Sequence, residues 1–503
     1  MKTISRRREA LELLPTDLND SFRGIINRIQ QSPNASAELG MQVLMWLHFA
    51  YRPLRLVELQ HALAVRKSHM EFDHGNIPSR KVLLDCCLGL VIVDEETMTV
   101  RFTHFTLEEY FRGNAASEFP NGCSSIAETC LTYLNFSGLR QHCPNLDRLE
   151  EKSSQYALLK YAACYWGTYV KQQCSDTLIE LARVVLEHET ERPPCAVQAL
   201  YFAVADYPWE RIIATKFSGI HVIAYFGLNE VIANFFTVEL RDDTGRTPLS
   251  WAAKNGHVGV VQLLVEKDGV DINTVDSDGR TPLMWATIRG HEAVVSLLIE
   301  RDGVDIDAKD NLGKTAFIMA AQWGHEAVVR LLIERGGVDI NARDNLLGMT
   351  PFMFAATSGV VAIVKLLVER DGVDINAKDH EGRTPLMWAI IGVLEIKSHE
   401  GVVQLLIERD DVDISAIDDM GRTALAWAVV VKRSVPRSER AKWKVIVQRL
   451  KDRCNVRQGV EKLHQMVHFR KVLMSCVEAG AAGSLGVFPR VGEVRKQSSI
   501  HHL

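Results

Sequence analysis

Six glycines, Gly245, Gly279, Gly313, Gly348, Gly382 and Gly421, each open the same short string, G-x-T-[P/A], at spacings of 34, 34, 35, 34 and 39 residues. A register kept this long leaves few folds open. Each period is one supersecondary unit, too small to bury its own apolar face, so the units must stack and share a core. The stretch from Asp276 to Lys309 shows what one unit contains. Asp276 to Gly279 supplies turn residues, and Gly279 can take a positive φ without steric cost. Thr281 is placed to cap a helix whose first turn accepts Pro282, and Gly290 is placed to end it. Val294, Val295, Leu297, Leu298 and Ile299 then read as a second, apolar helix. Most periods also carry a Leu-Leu pair and an Asp-Ile-Asn step, as in Leu263-Leu264 with Asp271-Ile272-Asn273.

The strings Thr247-Pro248-Leu249, Thr281-Pro282-Leu283, Thr350-Pro351-Phe352 and Thr384-Pro385-Leu386, with Gly256-His257, Gly290-His291 and Gly324-His325, resemble the ankyrin-repeat family. The resemblance covers residues 217–453. A degenerate first unit is marked by His221, Gly227 and Val231-Ile232, and the last unit, from Asp418, loses the pattern after Val429. It implies a mainly α fold, an ankyrin solenoid, and a role in protein–protein interaction. The histidine that follows T-P-L in the family is replaced by Ser250, Met284, Ile318, Met353, Met387 and Ala426, which puts its turn-bracing hydrogen bond in question. An insertion lies between Gly392 and Gly401. Trp251, Trp285, Trp388 and Trp427 share one column with Met319 and Phe354, and we read that column as core.

Ahead of the repeats, Leu18, Phe22, Ile25, Ile26 and Ile29 have helical spacing, and further helices are predicted near 37–50, 56–65 and 77–89. Leu90 to Val93 and Thr99 to Thr103 flank the charged turn Asp94-Glu95-Glu96 as a hairpin, and another helix starts at Thr106. Helices followed by a short β-wing suggest a winged helix. Arg52-Pro53-Leu54, the run Val57 to Leu63, Cys87 to Val91 and the run Arg101 to Phe111 are similar to a winged-helix domain labelled after GPI inositol-deacylase. That domain follows NACHT-type (STAND) NTPase modules in fungal ankyrin proteins. The implied layout is a winged-helix domain with preceding helices over 1–113 and a helical connector over 114–210. The string Tyr156 to Trp166 resembles that connector. A disordered tail over 454–503 completes it. In such proteins the winged helix sits between a nucleotide switch and a repeat sensor; here the nucleotide module would lie before Met1.

Composition narrows function. A net charge of −5, and a 56–65 helix holding Glu58 with only Arg66-Lys67 at its end, argue against a nucleic-acid partner. No apolar run approaches the length of a membrane span, and the start, with Arg6, Arg7 and Arg8, lacks the apolar run of a signal peptide. Ten cysteines without C-x-x-C read as reduced core thiols rather than disulfides or zinc ligands. The expected compartment is the cytoplasm, with the nucleus as the alternative if the basic stretch 432–457 serves as an import signal. The same stretch places Trp443, Ile446, Val447 and Leu450 on one face, the pattern of a capping helix. Gly313-Lys314-Thr315 lacks the earlier P-loop glycine, whose place is held by Ala308. His291-Glu292, His325-Glu326 and His399-Glu400 lack the second histidine of a zinc-protease motif, and no G-x-S-x-G occurs. No catalytic, cofactor-binding or metal-binding residue is therefore assigned.

In the family, the two residues before the helix-ending glycine and the fingertip residues around the turn glycine face a concave groove. The resemblance thus points to Tyr225, Phe226, Lys254, Asn255, Ile288, Arg289, Gln322 and Trp323, with fingertips Arg280, Leu312, Lys314, Leu346 and Met349, as partner-binding residues. Trp323 is the expected anchor, because binding hot spots favour Trp, Tyr and Arg. The functional expectation is a non-enzymatic scaffold binding a protein along the groove. The alternative is a sensor or regulatory fragment of an NTP-driven signalling protein.

Overall fold

The computed structural model describes residues 18–67, 69–187, 192–204, 214–232, 240–393 and 399–454. Expectations for Arg6 to Arg8, for most of the insertion after Gly392 and for the tail lie outside the described residues. The chain divides into two compact units between Asp271 and Ile272, inside the repeat register.

The first unit opens with α1 (Leu18–Gln30), α2 (Asn34–Phe49), β1 (Leu54–Arg55), α3 (Leu56–Leu63), α4 (Arg80–Asp85), β2 (Val91–Val93), β3 (Thr99–Phe102) and α5 (Phe105–Glu118). The strands form an antiparallel sheet in the order β1-β3-β2, with Leu54 opposite Val100 and Val91 opposite Phe102. Alternation turns Val91, Val93, Val100 and Phe102 inward and Ile92 and Arg101 outward. This is a winged helix. Glu58 is buried within it and takes a bidentate pair from Arg52 at 2.8 and 2.6 Å, while also capping α3 through the Arg55 N–H at 2.8 Å.

The connector follows as α6 (Gly122–Leu134), α7 (Ser137–Arg140), α8 (Leu146–Gln155), α9 (Leu159–Gln172), α10 (Asp176–Leu186) and α11 (Cys195–Val204). Tyr161, Tyr165 and Tyr169 stand on one face of α9, as i, i+4 spacing requires. The Tyr51 N–H donates to Tyr161 (3.2 Å), Tyr161 to Tyr169 (2.7 Å), and Tyr169 to the Phe49 carbonyl (2.8 Å), fixing α9 to the winged helix. Another part of α9 meets the degenerate repeat, α12 (Gly219–Phe226) and α13 (Asn229–Ile232): the Trp166 and Phe226 rings lie 5.2 Å apart. Gly167 permits this approach, since a Cβ there would sit 2.2 Å from the Phe226 ring. The first full repeat, α14 (Pro248–Lys254) and α15 (Val258–Val265), completes the unit.

The second unit holds five helix pairs: α16 (Pro282–Arg289) with α17 (Glu292–Ile299), α18 (Ala316–Trp323) with α19 (Glu326–Arg335), α20 (Pro351–Ser358) with α21 (Val361–Val368), α22 (Pro385–Gly392) with α23 (Glu400–Glu408), and α24 (Ala424–Ser434) with α25 (Arg440–Cys454). Thr281, Thr315, Thr350, Thr384 and Thr423 each cap the first helix of a pair by accepting the N–H three residues on, at 3.3 to 3.4 Å. Trp443, Ile446, Val447 and Leu450 of α25 are buried, so the basic stretch closes the array as a cap. Some of its charge is spent on that docking: Lys442 pairs with Glu400 and Arg449 with Glu408.

Candidate partner-binding surface

In four repeats the turn is fastened by a device that uses three columns of the sequence. Asp276 accepts the N–H groups of Asp278 (3.0 Å) and Arg280 (2.9 Å) on one oxygen and the Trp285 indole N–H (2.9 Å) on the other. The indole N–H reaches the same aspartate, nine residues earlier, in the pairs Asp242–Trp251 (2.8 Å), Asp379–Trp388 (2.9 Å) and Asp418–Trp427 (3.1 Å). An arginine lies over each indole: Arg246, Arg280, Arg383 and Arg422, at 5.3, 5.1, 4.2 and 4.1 Å from the ring. The tryptophan column is core, and it also does the bracing that the missing histidine would have done. His221, in the degenerate repeat, keeps the histidine form: its Nε2 lies 3.2 and 3.3 Å from the carbonyls of Leu240 and Arg246. Sequence reasoning missed the device, although the two columns hold arginine and tryptophan together in four repeats and neither in the two with Met319 and Phe354.

Two further rungs join neighbouring repeats. The His325 Nε2–H donates to the Ile288 carbonyl (3.0 Å), and His399 bonds the Thr357 carbonyl. The His325 ring lies over Gly290, which has φ 73°; a Cβ there would sit 2.5 Å from the imidazole. Asn273, Asn341 and Asn376 each donate to a carbonyl of the next repeat (Gly303, Gly372, Asp411), all at 2.7 Å, and accept an N–H two residues beyond it. The Gly-His histidines are thus structural, and so is Gly313-Lys314-Thr315: Gly313 makes the turn and Thr315 the cap.

The exposure pattern marks where a partner could reach. In α16, α18 and α20 every residue is buried up to the last two, and Ile288-Arg289, Gln322-Trp323 and Thr357-Ser358 are half-exposed. Tyr225, Asn255, Arg280 and Leu312 are also half-exposed, and Leu346 is 46% exposed. Four positions expected to face outward need correction. Phe226 is buried because α9 covers it with Trp166 and Gly167. Lys254 is buried with its ammonium 4.3 Å from the Trp251 ring centre. Lys314 is buried, its Nζ donating to Gln322 Oε1 (2.8 Å) and lying 4.9 Å from the Phe354 ring; burial holds its pKa below the ordinary lysine value. Met349 is fully buried, in a column that is also buried at Arg246 and Arg422, and the extra residue in its turn puts its own N–H against Asp344 Oδ1 (2.6 Å).

Comparison with known families agrees with this architecture. A family model described as ankyrin repeats (3 copies) matches residues 220–310, 269–344, 302–379 and 372–435, and one described as GPI inositol-deacylase, winged helix domain matches residues 26–120. The chain therefore carries a winged-helix domain of the GPI inositol-deacylase type followed by ankyrin repeats, and ankyrin repeats generally mediate protein–protein interaction. No curated protein matches it. Among the described residues, no helix is long and apolar enough to cross a membrane.

Proposed function

We propose that the protein is a non-enzymatic, cytoplasmic scaffold that binds a protein segment along the helix-end residues of its repeats. The observation that supports this reading most is the row of half-exposed pairs, Ile288-Arg289, Gln322-Trp323 and Thr357-Ser358, each standing at the end of an otherwise buried helix. Side chains held on capped helices lose little conformational freedom on association, which favours binding over an equal area of loop. Trp323 is the anchor, with Leu346 and Leu312 as apolar neighbours in the fingertip series. The partner is first isolated by affinity capture and then titrated calorimetrically against the wild type and Trp323→Ala. Removing a central tryptophan costs ~2 kcal/mol or more, roughly a thirtyfold loss of affinity. Equal affinities for the two proteins would sink the assignment.

The winged-helix match supports a second reading, in which the chain serves as the sensor part of an NTP-driven NACHT or STAND switch. An mRNA reading through ahead of Met1 into a G-x-x-x-x-G-K-[ST] motif supports that reading, and an in-frame stop codon there removes it.

A further inference from the structure

Two cysteines distant in sequence meet in the connector. Cys143 lies in the loop between α7 and α8, and Cys195 begins α11. The backbone sets their register: Cys195 N–H donates to the Gln141 carbonyl (3.0 Å). One turn along α11, Gln198 accepts the Cys143 N–H on Oε1 (2.8 Å) and returns its amide to the Cys143 carbonyl (3.1 Å). The loop is thereby held against the face of α11 that carries Cys195, and the two thiols lie close enough to perturb each other's ionisation. We propose that Cys143 and Cys195 are a peroxide-responsive pair that closes to a reversible disulfide, tying the α7–α8 loop to the start of α11.

The chemistry follows from the asymmetry of the pair. The neighbouring Cys195 thiol, with Lys152 and Arg148 nearby, brings the Cys143 thiol down to about 7, while Cys195 is pushed up. Cys143 is the nucleophile. Its thiolate attacks one oxygen of hydrogen peroxide, the O–O bond breaks, hydroxide leaves and takes a proton, and a sulfenic acid remains. The Cys195 sulfur then attacks that sulfur; the S–O bond breaks, the Cys195 proton departs with the hydroxyl as water, and the S–S bond forms. Two thiols and one peroxide become one disulfide and two waters. The pair is buried, but Gln141, Pro144 and Asn145 beside Cys143 are exposed, so only a thin loop separates it from solvent. Burial instead pushes up the thiols of Cys123, Cys130, Cys164 and Cys174, making them poorer nucleophiles.

The test uses the full chain, reduced and then exposed to hydrogen peroxide, with remaining thiols alkylated before digestion and mass spectrometry. The expected result is a linked Cys143–Cys195 peptide that dithiothreitol removes. It should form several-fold more slowly at about pH 6 than at about pH 7.5, following the thiolate fraction. Cys195→Ser should stall at a Cys143 sulfenic acid that dimedone traps. Because the wild type carries the main readout, a variant that fails to fold does not weaken the test. Both thiols remaining alkylatable after unfolding while exposed Cys174 oxidises, or a link between neighbouring Cys86 and Cys87 instead, would overturn the proposal.

Discussion

The repeats at 276–309 and 310–343 share one backbone plan but are fastened differently. The first has Asp276 bonded to Trp285, with Arg280 over the indole. The second has Asp310, Lys314 and Met319 in those places: Asp310 accepts the N–H groups of Leu312 (3.0 Å) and Lys314 (2.7 Å) on one oxygen, and among the described residues no indole reaches the other. Burial outweighs the two N–H bonds and the nearby Arg280 and Lys314 charges and raises the Asp310 carboxyl above the usual carboxylate value. The joints around 310–343 also differ. Asp307 stands where Asn273, Asn341 and Asn376 act elsewhere, and it only accepts, from the Asp339 N–H at 3.0 Å. Val360 stands where a Gly-His histidine would serve the Gln322 carbonyl. The repeat carrying Trp323 thus goes without the indole bond, a donating asparagine at its first joint and a histidine rung at its second. Departures from local consistency concentrate where proteins do their work, and here they coincide with the proposed anchor.

The comparison breaks most easily at the aspartates. Asp276→Asn would turn an amide N–H toward the indole N–H and leave a buried donor unpaired, a cost of about 2 kcal/mol. Asp310→Asn also buries a new amide but keeps its one accepting oxygen and strands no indole, so its loss should be smaller, about 1 kcal/mol. Urea unfolding of both variants measures the difference, and equal losses would mean the indole bond contributes nothing. Met319→Trp runs the comparison the other way. The column already holds tryptophan in four repeats, so the new indole should reach Asp310 and add about 1 kcal/mol. A loss of stability would show that this repeat cannot accommodate the ring.

Much of this was legible beforehand, and the failures have particular causes. The caps, the left-handed glycines, the wing and the α25 face follow from local rules and appear where the sequence put them. β1 did not, because two residues after Arg52-Pro53 have no periodicity to read; they are a strand only because β3 pairs with them. The surface residues were harder. A family alignment gives the direction of a backbone position, but not whether a neighbour will draw its side chain inward. Lys254 and Lys314 lie over aromatic rings, and Met349 stands in a column that is buried at Arg246 and Arg422 too. Phe226 was out of reach for another reason: the helix that covers it comes from the connector, sixty residues upstream by rough count, where no repeat rule applies.

Asp307→Asn is a smaller change. The asparagine amide would donate to the carbonyl of Gly337, as Asn273 and Asn341 do to Gly303 and Gly372, while its oxygen keeps the Asp339 N–H. The site is partly exposed, so the gain should be about 0.5–1 kcal/mol. Hydrogen exchange should slow at the 303–307 and 337–341 loops together. A change confined to one loop would mean the rung does not form.

The smallest effect is also the most specific. A Val360 methyl carbon lies 3.0 Å from where a Gly324 Cβ would be, the place an imidazole takes over Gly290. Val360→His should therefore supply the Gln322 carbonyl with a donor and add about 0.5 kcal/mol near neutral pH. The gain must depend on pH in the way the His325 rung does. Burial holds the folded His325 pKa below the ordinary histidine value of 6.5, despite the opposing bond to Ile288. The unfolded chain then takes up more protons as pH falls, and the stabilisation, complete above 6.5, is lost progressively below it. Denaturation of Val360→His and wild type at pH 7.5 and pH 5.5 gives the sign directly. The difference should be positive at the higher pH and shrink at the lower. A gain that ignores pH would mean that the new ring fills space over Gly324 without donating, and that the joint beside Trp323 lacks packing rather than a hydrogen bond.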